Sequence, residues 1–336
     1  MSRPWPLLVL LLATGCSASR PSAPEPVPDP SEYVRLGPQI RTAVEAEYYA
    51  PAELSEPQWA QFWRDLDTVL VEATTDDEVR TRFREAARGV GVSHLDLFRL
   101  GAGETAFAPP PGDPVTLEVG DDGVAVLTVH GTFSVDRTIR PVAEAFGSVA
   151  AEAPRALVID LRRNPGGDVS SMLLAGHLIE RPAPAGLFLS RVWWETHDAA
   201  PPPSEWSSLP LLTSPDMDAF FRALDERGAL VGFVPPMQPR YDGPVYLLTG
   251  PNTASASEPL VYLLQSTGRA TVVGQRTAGA MVSSTMTDLG DGWMLQHPVA
   301  DYYTSDGTRI DQVGVTPDVV VPLAEALDEA RRLATE

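Results

Sequence analysis

Apolar positions recur at three- and four-residue spacing from Glu32 to about Gly89, and beyond Gly123 the rhythm changes to short β-branched runs alternating with helical stretches. The first region predicts helices over "QIRTAVEAEYYA", over "PQWAQFWRDLDTVLVEA" with Ser55 and Pro57 as start signals, and over "TDDEVRTRFREAARGVG". In the last, Thr75 and Glu78 have capping-box spacing, and Gly89 and Gly91 mark the end. The second region predicts the strands "GVAVLTVHG", "ALVIDLR", "PVYLLTG" and "ATVVGQ", with helices over "RTIRPVAEAFGSVAAEA", "VSSMLLAGHLIE" and "ASEPLVYLLQSTG" between them. Such alternation implies an α/β layered core spanning 92–336, preceded by a small helical subdomain at 35–91. One stretch, about 181–241, breaks the rhythm with Pro201, Pro202, Pro203 and with Trp193, Trp194 and Trp206. It reads as an insertion over the core that serves as a lid or substrate wall.

The N-terminus adds a different signal. Arg3 precedes the apolar run "PLLVLLLAT", too short to span a bilayer, and Cys16 follows Gly15, so residues 1–15 read as an export signal peptide. "LATGC" resembles the lipobox of bacterial lipoproteins, in which the Cys is lipidated. The alternative is an ordinary signal peptide with an incidental Cys. Residues 16–34, Pro-rich in "SASRPSAPEPVPDPSE", read as a tether. The expectation is an exported, periplasmic or cell-envelope lipoprotein held at the membrane through Cys16. Cys16 is the only cysteine, which excludes an intrachain disulfide and any Cys-based metal site. A net charge of −20 excludes a nucleic-acid partner, which would need clustered basic residues.

The candidate chemistry centres on Ser255, where the run Val245–Thr249 gives way to a turn and a helix. "SASE" has capping-box spacing, so Ser255 could be a helix N-cap. The same elbow also suits a nucleophile, because a helix N-terminus offers free N–H groups and partial positive charge beside the attacking oxygen. A serine needs a base, and no Lys occurs in the chain. Histidines remain: His94 at the entrance to the core, His130 ending a strand, His177 within a helix, His197 in the insertion and His297 on a late strand. "LRRNPGG", ending at Gly167, follows a strand and could present backbone N–H groups to an anion. Asp311 in "DGTRIDQVGVTPD" offers a carboxylate before the terminal strand.

In this order "GVSH", "GVAVLTVHGTF", "ALVIDLRRNPGGD", "PVYLLTGPNTASASE", "GRATVVGQRTAGA" and "DGTRIDQVGVTPD" resemble the C-terminal-processing and tricorn-type serine peptidases, whose fold is related to ClpP and crotonase. The resemblance covers about Val34 to Leu323. One branch of that family uses a Ser–Lys dyad; here the position 25 residues after Ser255 is Ala280, so the dyad is impossible. The tricorn-like branch implies a tetrad of Ser93, His94, Ser255 and Asp311, with Asp311 standing where Glu is usual. By this resemblance His94 is the general base, Ser93 and Asp311 orient it, and the N–H groups of Gly167 and Ala256 form the oxyanion hole. Ser257 and Glu258 would hold the elbow. Only 28 residues separate His94 from Gly123, too few for the PDZ module of the processing proteases, which leaves substrate selection to the Trp-bearing insertion. The resemblance implies an endopeptidase acting on peptides or proteins without metal or cofactor. The rival reading is a non-catalytic binding module of the same fold, holding an apolar ligand or peptide.

Overall fold

The computed structural model describes residues 30–101 and 112–336. The signal peptide at 1–15, Cys16 and the tether up to residue 29 lie outside the described residues. Packing begins within the segment read as tether: Pro30–Val34 forms a helix, α1, whose Tyr33 is buried and donates its hydroxyl to Asp76 at 2.8 Å.

Three longer helices follow, α2 (Leu36–Glu47), α3 (Pro57–Glu72) and α4 (Asp76–Arg88). On α3 the buried side chains Trp59, Phe62, Trp63, Leu66, Val69 and Leu70 form one stripe at helical spacing. Pro57 is the first helical residue, as expected, whereas Ser55 bonds back to the Ala52 carbonyl within the preceding 3₁₀ turn and caps nothing. At α4, Thr75 Oγ1 accepts from the Glu78 amide at 3.2 Å, but the Glu78 carboxylate reaches Thr74, one residue further back than the usual box.

From Asp96 the chain runs through β1 (Asp96–Arg99), β2 (Val115–Val119), β3 (Val124–Val129), α5 (Arg140–Glu152), β4 (Ala156–Asp160) and α6 (Ser171–Gly176). β5 (Ala183–Ser190), α7 (Arg191–Trp194), β6 (Leu211–Leu212), α8 (Met217–Arg227) and β7 (Ala229–Val234) come next. The remainder is β8 (Val245–Thr249), α9 (Ser257–Ser266), β9 (Thr271–Gly274), β10 (Ser283–Gly290), β11 (Trp293–Thr304), β12 (Val319–Val320) and α10 (Ala326–Thr335).

Two sheets result. The first has the order β12-β9-β8-β4-β3-β2 and is parallel except for β2. Its strands read as near-continuous apolar runs because both faces are covered. Val124, Val126, Val158, Leu248 and Val273 face α10, while Leu127, Ile159, Leu247 and Val272 join the large core with α5, α6 and α9. The second sheet has the order β1-β11-β5-β7-β6, with β10 also paired to β11. Together the two sheets give the ClpP/crotonase-like layered core, with the helical subdomain docked onto β1 and β11.

The 181–241 stretch differs from the expected lid. It supplies β5, β6 and β7, half of the second sheet, and Trp206 is buried against Leu187, Leu189, Ala229 and Val231 of β5 and β7. Pro201, Pro202 and Pro203 lead into a 3₁₀ helix over Pro203–Ser208, and Trp206 within it is buried, unavailable to a substrate. The helix read over "VSSMLLAGHLIE" is shorter, only Ser171–Gly176.

Trp293 of β11 ties the subdomain to the core: fully buried, it meets Tyr33 edge to face at 5.9 Å and joins the cluster of Trp59, Phe62 and Phe83. Replacing Trp293 by Ala is expected to cost about 3–5 kcal/mol through lost burial and an unfilled cavity. Denaturant unfolding checks this; a loss well below 1 kcal/mol would mean the subdomain docks without it.

Candidate active site

The carboxyl ends of three adjacent parallel strands converge on the elbow. β8 leads into Ser255, its neighbour β4 leads into Leu161–Gly167, and its other neighbour β9 leads into Thr277–Ala280. Loops at such strand ends commonly carry ligand sites in parallel α/β sheets.

Ser255 sits at φ 51°, a left-handed conformation that is strained for a residue with a side chain. Half of the capping box forms: Glu258 Oε2 accepts from the Ser255 amide at 3.1 Å. The other half does not, because the Glu258 amide donates to the Ser255 carbonyl and α9 begins at Ser257. The Ser255 hydroxyl makes no hydrogen bond among the described residues, so it is not spent as a cap.

The Gly pair lies directly against this turn. A Cβ on Gly166, at φ +102°, would meet Ser255 Cβ at 2.5 Å and the Ala256 nitrogen at 2.8 Å. Gly167 in turn is pressed on the Phe133 backbone, with the Asp168 amide donating to the Phe133 carbonyl at 3.1 Å. These bonds leave the N–H groups of Gly167 and Ala256 donating to no protein group among the described residues. Asn164, fully buried, fastens the two loops: its Oδ1 accepts from the Gly166 amide at 2.9 Å and from Ser257 Oγ at 2.9 Å. Sequence reading gave Asn164 no role; its place two residues before a Gly pair was the available signal.

Glu258 organises the third loop. Its buried carboxylate accepts from Thr277 Oγ1 at 2.6 Å, the Gly279 amide at 2.8 Å, the Ala280 amide at 2.8 Å and the Ser255 amide at 3.1 Å. Thr277 Oγ1 itself accepts from the Val315 amide, so its proton goes to Glu258. All four partners are therefore donors. Burial pushes the Glu258 carboxyl above the usual carboxylate range, and the four hydrogen bonds pull it back.

The histidine cluster attaches to the same loop. His94 follows α4 at φ 59°, in a segment whose Val92 and Leu95 are buried. Its Nδ1 lies 2.9 Å from Ser93 Oγ, which leaves Nε2 as the ring nitrogen without a protein partner among the described residues. Asp311, buried, accepts from the Ser93 amide at 3.3 Å and the Met281 amide at 2.9 Å. The shorter Asp thus reaches the Ser93 backbone, and no Ser93 Oγ–Asp311 hydrogen bond forms among the described residues. Desolvation lowers the His94 pKa, opposed by the charge of Asp311; the ring keeps some solvent access but is packed by protein on most sides.

A backbone path links the elbow to the histidine loop: the Ser255 amide donates to the Ala280 carbonyl at 3.1 Å, the next residue, Met281, donates to Asp311, and Asp311 accepts from the Ser93 amide. No direct hydrogen bond joins Ser255 to His94 among the described residues. The other histidines stand elsewhere. His177 stacks on Phe146 and donates through Nδ1 to the Pro239 carbonyl, His197 stacks on Trp193, and His297 is buried beside Thr287. His130 follows β3, half-buried. A surface depression of about 660 Å³ lined by Asp76, Arg99, Leu100, Gly101, Asp291 and Gly292 shares no residue with this site.

The layered α/β fold and the strand-end elbow place the chain in a recognisable class of hydrolase folds. Residues 123–321 match the description "Peptidase family S41", and the chain belongs to that family. A carboxyl-terminal-processing protease of Picosynechococcus sp. is 30% identical over 165 residues, 49% of this chain and 31% of that protein. The matched part thus spans about a third of that relative's length. A solved structure from Parabacteroides merdae superposes with a TM-score of 0.62 at 15% identity, over 92% of this chain and 98% of the other. A lipoprotein from Streptococcus agalactiae does so with a TM-score of 0.59 at 16% identity, over 93% and 98%. At these identities the two structures establish the fold.

Glu258→Gln tests the loop anchor. Whichever way the amide turns, its NH₂ faces a backbone N–H donor, so the variant is expected to lose about 1–3 kcal/mol of stability. Wild-type thermal unfolding in this variant would contradict the reading.

Proposed function

We propose that the chain is an exported serine-type endopeptidase in which Ser255 attacks the substrate carbonyl and His94 is its general base. The observation that carries this reading is the unspent Ser255 hydroxyl, joined to the His94 cluster through the Ala280–Met281 pair. In the proposed route Nδ1 of His94 carries its proton toward Ser93 Oγ, freeing Nε2 to take the proton of Ser255. Hydrogen bonds of this kind are often long before a substrate binds and tighten in the complex. The developing oxyanion would lie against the Gly167 and Ala256 N–H groups, a donor pair whose loss costs about a hundredfold or more in rate. His94 then returns the proton to the leaving amine, and an acyl-enzyme is hydrolysed by water in the same manner. The residues named suffice for this route, and no step calls on a metal or cofactor. Substrates are peptides or proteins, entering as partners of the strand ends around the elbow.

The test is a fluorophosphonate probe followed across pH. Wild-type protein is expected to be labelled, Ser255→Ala not at all, and His94→Ala at least about a hundredfold more slowly. Because desolvation depresses the base, the labelling rate should rise with pH through a midpoint below about 6.5 and then level off. Absence of Ser255-dependent labelling in folded protein would overturn the reading and favour a binding role for the same fold.

The anchor is a separate part of the proposal. It is supported by "LATGC" and by the Pro-rich segment behind it. Expressed with its full leader in a bacterium, the protein should sediment with membranes, and Cys16→Ser should move it to the soluble fraction. Identical fractionation of the two would rule out lipidation at Cys16.

A further inference from the structure

Among the described residues Asp311 is hydrogen-bonded to the histidine loop only through the Ser93 amide, and to the loop after β9 through the Met281 amide. Its position therefore depends on the segment that carries it. Two residues earlier, Arg309 forms a β-bridge with Tyr303 of β11. The Arg309 Nε donates to Asp301 at 2.9 Å and an NH₂ group donates to the Tyr49 hydroxyl at 2.7 Å. The same NH₂ group lies 3.9 Å from Asp311 Oδ2. Tyr49 follows α2, Asp301 belongs to β11, and both are buried, so one guanidinium ties the helical subdomain and the second sheet to the acid segment.

We propose that Arg309 is a positioning residue, holding Asp311 where it can act on His94 and partly neutralising its charge. The inference rests on the serine-peptidase reading above and concerns the same site. The charged groups form a chain. Asp311 accepts from the amide of Ser93, the neighbour of His94, Asp311 lies 3.9 Å from Arg309, and Arg309 donates to Asp301. Two buried carboxylates share one fixed cation, which leaves one net negative charge. When His94 takes up the serine proton, the imidazolium balances it. The guanidinium therefore moderates how strongly Asp311 favours the protonated ring. Without it, Asp311 would hold His94 protonated at higher pH, and the neutral base would be scarcer.

This can be read without turnover, by NMR titration of the His94 ring in a Ser255→Ala background, with His94→Ala identifying the resonance. Arg309→Gln can keep a hydrogen bond to Asp301 from near the Nε position, but it is too short to reach Tyr49, and it removes the charge. It is expected to raise the His94 pKa by about half a unit or more. Arg309→Lys, which keeps the charge, should leave it within about 0.2 unit of the parent. If Arg309→Gln does not fold, Asp301→Asn is used instead; it releases the guanidinium toward Asp311 and should lower the value. An unchanged His94 titration in a folded Arg309→Gln or Asp301→Asn protein overturns the proposal. Failure of the peptidase reading itself shows separately, as lack of Ser255-dependent labelling in the wild type.

Discussion

The buried carboxylate of Glu258 is the constraint on which the candidate site depends. It satisfies four donors from two pieces of chain, the elbow amide of Ser255 and, from the following loop, the hydroxyl of Thr277 and the amides of Gly279 and Ala280. A buried ionised group is costly unless its lone pairs are filled, and here they are filled by groups whose own positions then become fixed. Because the Glu258 amide donates to the Ser255 carbonyl, the serine hydroxyl is left over. The Ser255 amide also donates to the Ala280 carbonyl, and the Met281 amide donates to Asp311. A single helix-start interaction thus reaches the histidine loop.

Backbone strain is concentrated in the same place. Of the described non-glycine residues with positive φ, three belong to the site, His94, Ser255 and Gln312 beside Asp311. Such conformations persist only where the surroundings over-determine them. The surroundings here are the Asn164 and Glu258 networks and, at Gln312, an amide donating to the Gly279 carbonyl at 2.6 Å. Gly166 and Gly167 supply the complementary feature, a backbone that approaches the elbow at Gly166 and the Phe133 backbone at Gly167 where no Cβ could fit.

Much of this was legible in the sequence, and the exceptions share a physical cause. The parallel strands and the α3 stripe were readable because buried runs and helical spacing are local signals. The second sheet was not, since β5, β6 and β7 pair across long sequence distances and their Pro-rich flanks imitate a loop. The order of motifs pointed to Ser255, His94 and Asp311. It could not say that Asp311 would contact the Ser93 amide rather than its hydroxyl, because one methylene of reach is settled by packing. Asn164 and Arg309 escaped for the same reason: their partners are distant in the chain, Ser257 for one, and Tyr49 with Asp301 for the other.

The central claim is that the imidazole of His94 and the hydroxyl of Ser255 act on one reacting carbon. The most direct measurement is a crystal structure of the protein carrying a peptide boronate on Ser255. The account predicts a tetrahedral adduct with one oxygen on the N–H groups of Gly167 and Ala256, and His94 Nε2 within about 2.6–3.2 Å of an adduct oxygen. An adduct in which His94 stays turned away, or in which another histidine makes that contact, would contradict it.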